Sequence, residues 1–169
     1  MPEWIARSNR ERYNLSYIAN EWRTLHERGR YLNTRNYDIA LAGKSRKEQD
    51  QNGVGRLRLR SDFERMLYTP AGNTAVLGLA KQAIAQYRLG DDKIPDLLNV
   101  CLDSPRRISE AYGPESVEVE DMYYRLDRDL ADFLTFVFAQ VKDGSVTVVL
   151  TSDHGTSPAF DAGAAEADR

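Results

Sequence analysis

Apolar positions recur at helical spacing in two long stretches of this chain. Between 116 and 141, Val119, Met122, Tyr123, Leu126, Leu130, Phe133, Leu134, Val137 and Val141 follow one another at three- and four-residue steps, which predicts a long amphipathic helix. Glu118, Glu120 and Asp121 fall in its first turn, where the helix dipole favours acids, and Gly144 marks its exit. A second stripe of Val76, Leu77, Ala80, Ile84 and Tyr87 predicts a helix that leaves the turn TPAGNT (69–74). Asn73 or Thr74 is placed to cap it, and Gly90 stops it after about Leu89.

Two shorter apolar runs lack that spacing. DLLNVCL (96–102) follows Pro95, and SVTVVLT (145–151) is rich in β-branched residues, so both read as buried strands. DSPRRISEAYGP, between the first run and the long helix, reads as a loop. Strand, long helix and strand make a βαβ unit with a right-handed crossover. Such units present their chemistry at the carboxyl ends of strands, here just after Leu102 and just after Thr151.

The flanks are less regular. Residues 1–68 are charged and mostly helical in propensity, with a stripe of Leu15, Ile18, Trp22 and Leu25 ended by Gly29. Residues 43–56 read as a polar surface loop and FERMLY (63–68) as a short helix, with Trp4, Trp22 and the tyrosines packing this part onto the sheet layer. PAFDAGAAEADR (158–169) is small and acidic and reads as a disordered tail. The expected division is therefore 1–68, 69–157 and 158–169. No internal repeat is present.

Composition narrows the partners. The chain has 169 residues, 41% hydrophobic and 29% charged, which suits one globular domain with a core. A net charge of −3 argues against a nucleic-acid or anionic-membrane partner. No apolar run approaches the ~18 residues of a membrane span, and MPEWIARSNRER has no apolar leader stretch. Cys101 is the one cysteine, which rules out an internal disulfide; in LLNVCL it reads as a small buried hydrophobe. With two histidines, His26 and His154, one copy of the chain cannot supply a site of several histidine ligands. His26, in a charged segment, is expected to be exposed.

The chemistry centres on LTSDHG (150–155). Asp153 and His154 are adjacent at a strand's carboxyl end, and a carboxylate oxygen and an imidazole nitrogen both suit zinc. Taken alone, such a pair is more often an Asx-turn beside a surface histidine than a metal site. Arg106 and Arg107 have the donors to hold a phosphate bidentately, but a solvated loop, or pairing with Glu110 and Asp103, is the favoured reading. Glu118, Glu120 and Asp121 are assigned to the helix N-terminus rather than to a metal cluster. RLDRDLAD (125–132) reads as an exposed charged helix face without chemistry. Thr69, before Pro70, is a turn residue rather than a nucleophile.

Several strings resemble one family in order and spacing. TPAGNT, AKQAIAQYRLGDD, YGPESVEVED, EVEDMYYRLDRDLADFLTF and VVLTSDHG are similar to the alkaline phosphatase superfamily, in its type I phosphodiesterase/nucleotide pyrophosphatase-like branch that includes the phosphate-irrepressible alkaline phosphatases. The resemblance is detailed over about 66–158 and looser before that. It implies part of a three-layer α/β/α sandwich, zinc as cofactor, a phosphate ester as substrate class, and a periplasmic or secreted setting. The family's zinc-binding Asp-His pair matches Asp153 and His154. Its other zinc is held by an aspartate and a histidine four residues on, just before a Gly-Pro pair; these positions match Arg106 and Glu110. Arginine has no lone pair for a metal, so at most one zinc site is expected. Nothing ahead of residue 66 resembles the family's nucleophile strand, and its late histidine has no match.

These departures predict a truncated or degenerate phosphatase-family chain, a pseudoenzyme that is inactive alone. The alternative is a non-catalytic interaction module on the same scaffold. In either case an exposed sheet edge would favour self-association or a partner chain.

Overall fold

The structure, a computed structural model, describes residues 1–10, 22–32, 66–141 and 146–157. The helical stripe at 15–21, the loop at 43–56, the first half of FERMLY (63–65) and the tail at 158–169 lie outside those residues. Four helices are described: α1 (Glu3–Arg10), α2 (Pro70–Tyr87), α3 (Ser104–Tyr112) and α4 (Val117–Gln140), with a single 3₁₀ turn at Arg28–Arg30. α2 and α3 both pack on α4, and their N-termini touch each other.

Helix α4 forms where the apolar period predicts it. Ser116 caps it by accepting the Val119 amide at 3.3 Å, and Val141 ends it in an extended conformation. Its inner face buries Val119, Met122, Leu126 and Phe133 against Leu77, Ala80 and Ile84 of α2 and Ile108 of α3. Met122 and Ile108 are fully buried, each contributing about 1.5–3 kcal/mol of transfer free energy. α2 starts at Pro70, whose missing N–H costs nothing in a first turn. Thr69, not Asn73 or Thr74, takes the cap position. Arg88 turns left-handed at φ 55 and ends α2 two residues short of the expected Leu89, leaving Tyr87 56% exposed. Gly72 is needed where α2 meets α3, because a Cβ there would run into the Ser104 hydroxyl.

The acids at the start of α4 do more than complement its dipole. Asp121 is fully buried. Its carboxylate accepts from Trp22 Nε1 at 2.7 Å, the Leu25 amide at 2.6 Å, the Tyr31 hydroxyl at 2.7 Å and Arg125 Nε at 2.8 Å. Glu120 accepts the Leu32 amide at 2.9 Å. Arg125 also donates to the Arg23 carbonyl at 2.5 Å. Residues 22–32 are thus held by side chains of α4, and Trp22 to Leu25 are not helical as the stripe suggested. His26 is half-buried rather than exposed, its ring standing edge-on to Tyr124 at 5.1 Å. The RLDRDLAD face is partly used too. Asp129 accepts from Thr74 at 2.5 Å, and Lys81 pairs with Asp132 at 2.5 Å, so both tie α4 to α2.

Three expectations are corrected. The run 103–114 is mostly helix, not loop: Ser104 and Pro105 open α3, and Gly113 follows it at φ 90. The runs 96–102 and 146–151 are extended, but among the described residues neither is paired into a sheet. They are also exposed rather than buried, with Leu97 at 94% and Val149 at 80%. A strand needs a hydrogen-bonding neighbour and an apolar layer over both faces when it is central; the described residues supply no such neighbour, and on the first run only Val100 and Leu102 lean, half-buried, on the core. Cys101, on the first of these runs, is exposed for the same reason.

Two outcomes follow from the Asp121 anchor. Asp121→Ala should lower unfolding free energy by on the order of 3 kcal/mol in urea melts, since the buried Trp22 and Tyr31 donors lose their acceptor at about 1–3 kcal/mol each. The alkaline limb of stability is also set here. Burial, with the Asp121 carboxylate, pushes Tyr31 up to about 12 from 10.0, and burial, with the Glu118 charge, pushes Tyr112 up to about 12. The unfolded chain releases these protons first, so the contribution of the two tyrosines to stability should be level below pH of about 10 and fall as pH rises towards 12. Tyr31→Phe should flatten that fall; an unchanged alkaline slope in thermal melts would contradict it.

Candidate functional site

The extended run 146–151 delivers Asp153 and His154 to an exposed turn. The Ser152 hydroxyl donates to the His154 carbonyl at 2.9 Å, and the His154 amide donates to Asp153 Oδ1 at 2.9 Å. These local bonds fix the turn and leave Asp153 Oδ2 free to face the ring. His154 Nδ1 lies 2.9 Å from the Gly155 carbonyl and Nε2 lies 3.5 Å from Asp153 Oδ2. A carbonyl accepts only, so Nδ1 is the donor in this contact, which is the arrangement that leaves Nε2 as the nitrogen to meet a metal. Two zinc ligands at about 2.0–2.2 Å in tetrahedral arrangement sit about 3.4 Å apart. The Oδ2–Nε2 pair has that spacing, and its side chains are 81% and 60% exposed. The donor set therefore fits half of a zinc sphere. Among the described residues no group of three or more His, Cys, Asp or Glu side chains comes together.

The turn is tied to α3. Thr156 Oγ1 lies 2.8 Å from Ser109 Oγ. On the same helix an ion cluster forms where the sequence offered two readings of Arg106 and Arg107. Arg106 donates Nε to Asp103 Oδ1 at 2.8 Å and Nη1 to both Glu110 oxygens at 2.9 and 3.0 Å. Arg107 donates Nε to Asp103 Oδ2 at 2.5 Å, while its guanidinium stacks over Tyr68 at 5.6 Å. Three- and four-residue spacing puts 103, 106, 107 and 110 on neighbouring positions of the helix surface. The pairing reading holds: Arg106 is engaged by carboxylates and does not present a free fork to phosphate. The two guanidiniums, Arg106 first, hold the Asp103 carboxyl below its ordinary 3.8. Asp103 and Glu110 in turn push the Arg106 pKa further up.

Other candidates recede. Thr69 is 2% exposed, and its hydroxyl donates to the Met66 carbonyl at 2.9 Å, so it is no nucleophile. A cleft of about 350 Å³ between α2 and α4 is lined by Thr74, Lys81, Asp129, Asp132 and Phe136. Burial pushes the Asp129 carboxyl up, and Lys81 already pairs with Asp132, so the cleft offers nothing to an anion.

The model of the type I phosphodiesterase/nucleotide pyrophosphatase family matches residues 10–169. The chain belongs to that family. Alkaline phosphatase PafA of Elizabethkingia meningoseptica is 34% identical over 161 residues, covering 93% of this chain and 29% of that protein. A protein named calcium-transporting ATPase, from Myroides odoratus, is 33% identical over 163 residues, covering 93% of this chain and 30% of that one. Alkaline phosphatase PhoV of Synechococcus elongatus is 30% identical over 161 residues. The crystal structure of wild-type PafA superposes with a TM-score of 0.65 at 31% identity, over 83% of this chain and 28% of that one. The chain thus spans about three-tenths of the length of these relatives. The likeness is consistent with an α/β fold, of which the described residues hold the helices.

For a member of this phosphodiesterase family, the two candidate metal positions differ sharply. Asp153 and His154 have the donor chemistry for an ion; Arg106 has none, and Glu110 is bound to Arg106. Sequence reasoning missed Asp121 and α3, the first because its partners Trp22, Leu25 and Tyr31 are 90 to 99 residues away. The depressed Asp103 makes an acid-side prediction. Its stabilising charge is present above pH of about 4 and lost as pH falls through its lowered value. Asp103→Asn should therefore reduce the loss of thermal stability on acidification, and an unchanged acid slope would count against the cluster.

Proposed function

We propose that this chain is a degenerate member of the metal-dependent phosphatase/phosphodiesterase lineage, with one residual zinc half-site and no turnover of its own. The observation that carries this reading is the Arg106–Glu110 pair, one Nη1 shared by both carboxylate oxygens, at the two positions that resemblance assigns to the family's other zinc. Zinc held by Asp153 and His154 would supply Lewis-acid polarisation of a phosphoryl oxygen. Asp153 Oδ2 and His154 Nε2 would hold the ion, and the Gly155 carbonyl would orient the imidazole. The described hydroxyls beside them are engaged, Ser152 with the His154 carbonyl and Thr156 with Ser109. In a two-metal reaction the attacking and leaving oxygens are both stabilised by ions; with one ion, charge in the transition state stays uncompensated. The substrate class of the lineage is a phosphate ester, in a periplasmic or secreted setting, on a part of a three-layer α/β/α sandwich.

A second reading is favoured by one observation. Leu97, Val149 and Leu150 are exposed on extended, unpaired runs, as expected of a scaffold that binds another chain through its sheet. On this reading the protein is an interaction module.

Hydrolysis of p-nitrophenyl phosphate and of bis-p-nitrophenyl phosphate, with added zinc, tests the proposal. Neither ester should be turned over above the rate of the His154→Ala variant. Zinc-dependent turnover that His154→Ala abolishes would overturn it. Size-exclusion profiles read the second hypothesis, which requires a self-associated or partner-bound species that Val149→Lys disperses.

A further inference from the structure

The Asp-His turn offers a metal fewer donors than a zinc centre uses. Structural zinc sites take four protein ligands and catalytic ones three. Asp153 Oδ2 and His154 Nε2 make a pair, 3.5 Å apart. The other histidine, His26, stands edge-on to Tyr124, and its amide donates to the Tyr31 hydroxyl, so it is held at the Asp121 anchor. Among the described residues no third His, Cys, Asp or Glu joins the pair. The turn is nevertheless open from outside. Its two donor side chains are 81% and 60% exposed, and the flanking Ser152, Gly155, Thr156 and Ser157 are small and uncharged. We infer that the missing ligands come from a second copy of this chain, the Asp153 and His154 of two copies sharing one zinc ion about a two-fold axis.

The inference rests on the proposed zinc half-site and goes further by naming what completes it. A second copy presents the same two donors by symmetry, which makes four and closes a tetrahedral sphere. Charge favours the same count. Two carboxylates and one zinc ion sum to zero, whereas two carboxylates brought together without the ion repel each other. The run that leads into the turn is a separate observation. Val148, Val149 and Leu150 are exposed on an extended, unpaired segment. A two-fold axis lying along that segment sets the two copies' runs side by side and brings both turns to the same end. Apolar side chains then leave water as the metal sphere closes. The contact between Thr156 and Ser109 ties each turn to its own α3, so the ligands are held in place before the copies meet.

Sedimentation velocity of the full chain, from EDTA to excess zinc, tests the inference. The 19.2 kDa chain should be a monomer in EDTA and a species of twice that mass in zinc. Elemental analysis of that species should find one ion per two chains. Cobalt(II) in place of zinc should give the strong visible absorption of tetrahedral coordination, growing in step with the dimer. His154→Ala and, separately, Asp153→Ala should stay monomeric at every zinc concentration and lack the cobalt band. A monomer holding one zinc ion per chain would overturn the inference and leave the proposed half-site standing. A dimer that persists in EDTA or in His154→Ala would overturn it in favour of association through the apolar runs alone. Zinc-driven growth beyond two copies would show adventitious bridging and would overturn it too, and a chain that binds no zinc would sink the half-site with it. Turnover of phosphate esters by the wild-type chain would contradict the proposed function, while mass and stoichiometry read this inference separately.

Discussion

A single buried carboxylate organises the described part of the molecule. Asp121, on the first turns of α4, accepts from Trp22, Leu25, Tyr31 and Arg125. An ionised carboxylate out of water is tolerated only when its oxygens are fully hydrogen-bonded and a counter-charge is near. Arg125, one turn on along α4, supplies that charge and reaches back to the Arg23 carbonyl. The arrangement fixes residues 22–32 against α4. It also sets Tyr31 beside Tyr124, their rings edge-on at 5.7 Å, and brings Trp22 edge-on to Tyr112 at the end of α3. The apolar contacts of α4 with α2 and α3 supply cohesion, and Asp121 gives the early segment its one position.

A contrast runs through the rest. The faces of α2, α3 and α4 that meet are closely packed, with Ile108 and Met122 fully buried. The extended runs 96–102 and 146–151 carry apolar side chains into solvent. In a family whose relatives are about three times as long, those runs have the composition of central strands and the exposure of unpaired ones. Among the described residues the helices are packed together and the two apolar runs are unpaired.

Much of this was legible in sequence where the signal is periodic and long. The apolar stripe on α4 places that helix to within a residue at each end, because many turns of pattern leave no alternative phase. α3 was missed because its nine residues carry only Ile108 and Tyr112 as large apolar positions, too few to show a period. Cys101 and Leu97 were expected inside because an apolar run says nothing about whether a neighbouring strand exists to cover it. Glu118, Glu120 and Asp121 look alike as first-turn acids. Only the fold shows that Asp121 faces inward and holds a segment about 90 residues or more away along the chain. The Arg106 pairing was expected from the nearby opposite charges alone; the helical spacing of three and four that brings Asp103 and Glu110 to it became visible only with α3.

On the proposed reading the two candidate metal positions differ. Asp153 Oδ2 and His154 Nε2 lie 3.5 Å apart on an exposed turn, while Arg106 and Glu110, which resemblance matches to the family's other ion, close on each other. Counting zinc ions per chain by equilibrium dialysis with elemental analysis tests this division most directly. The account predicts no more than one ion, removed by His154→Ala. Two ions per chain, or an ion retained after His154→Ala and lost on changing Glu110, would contradict it.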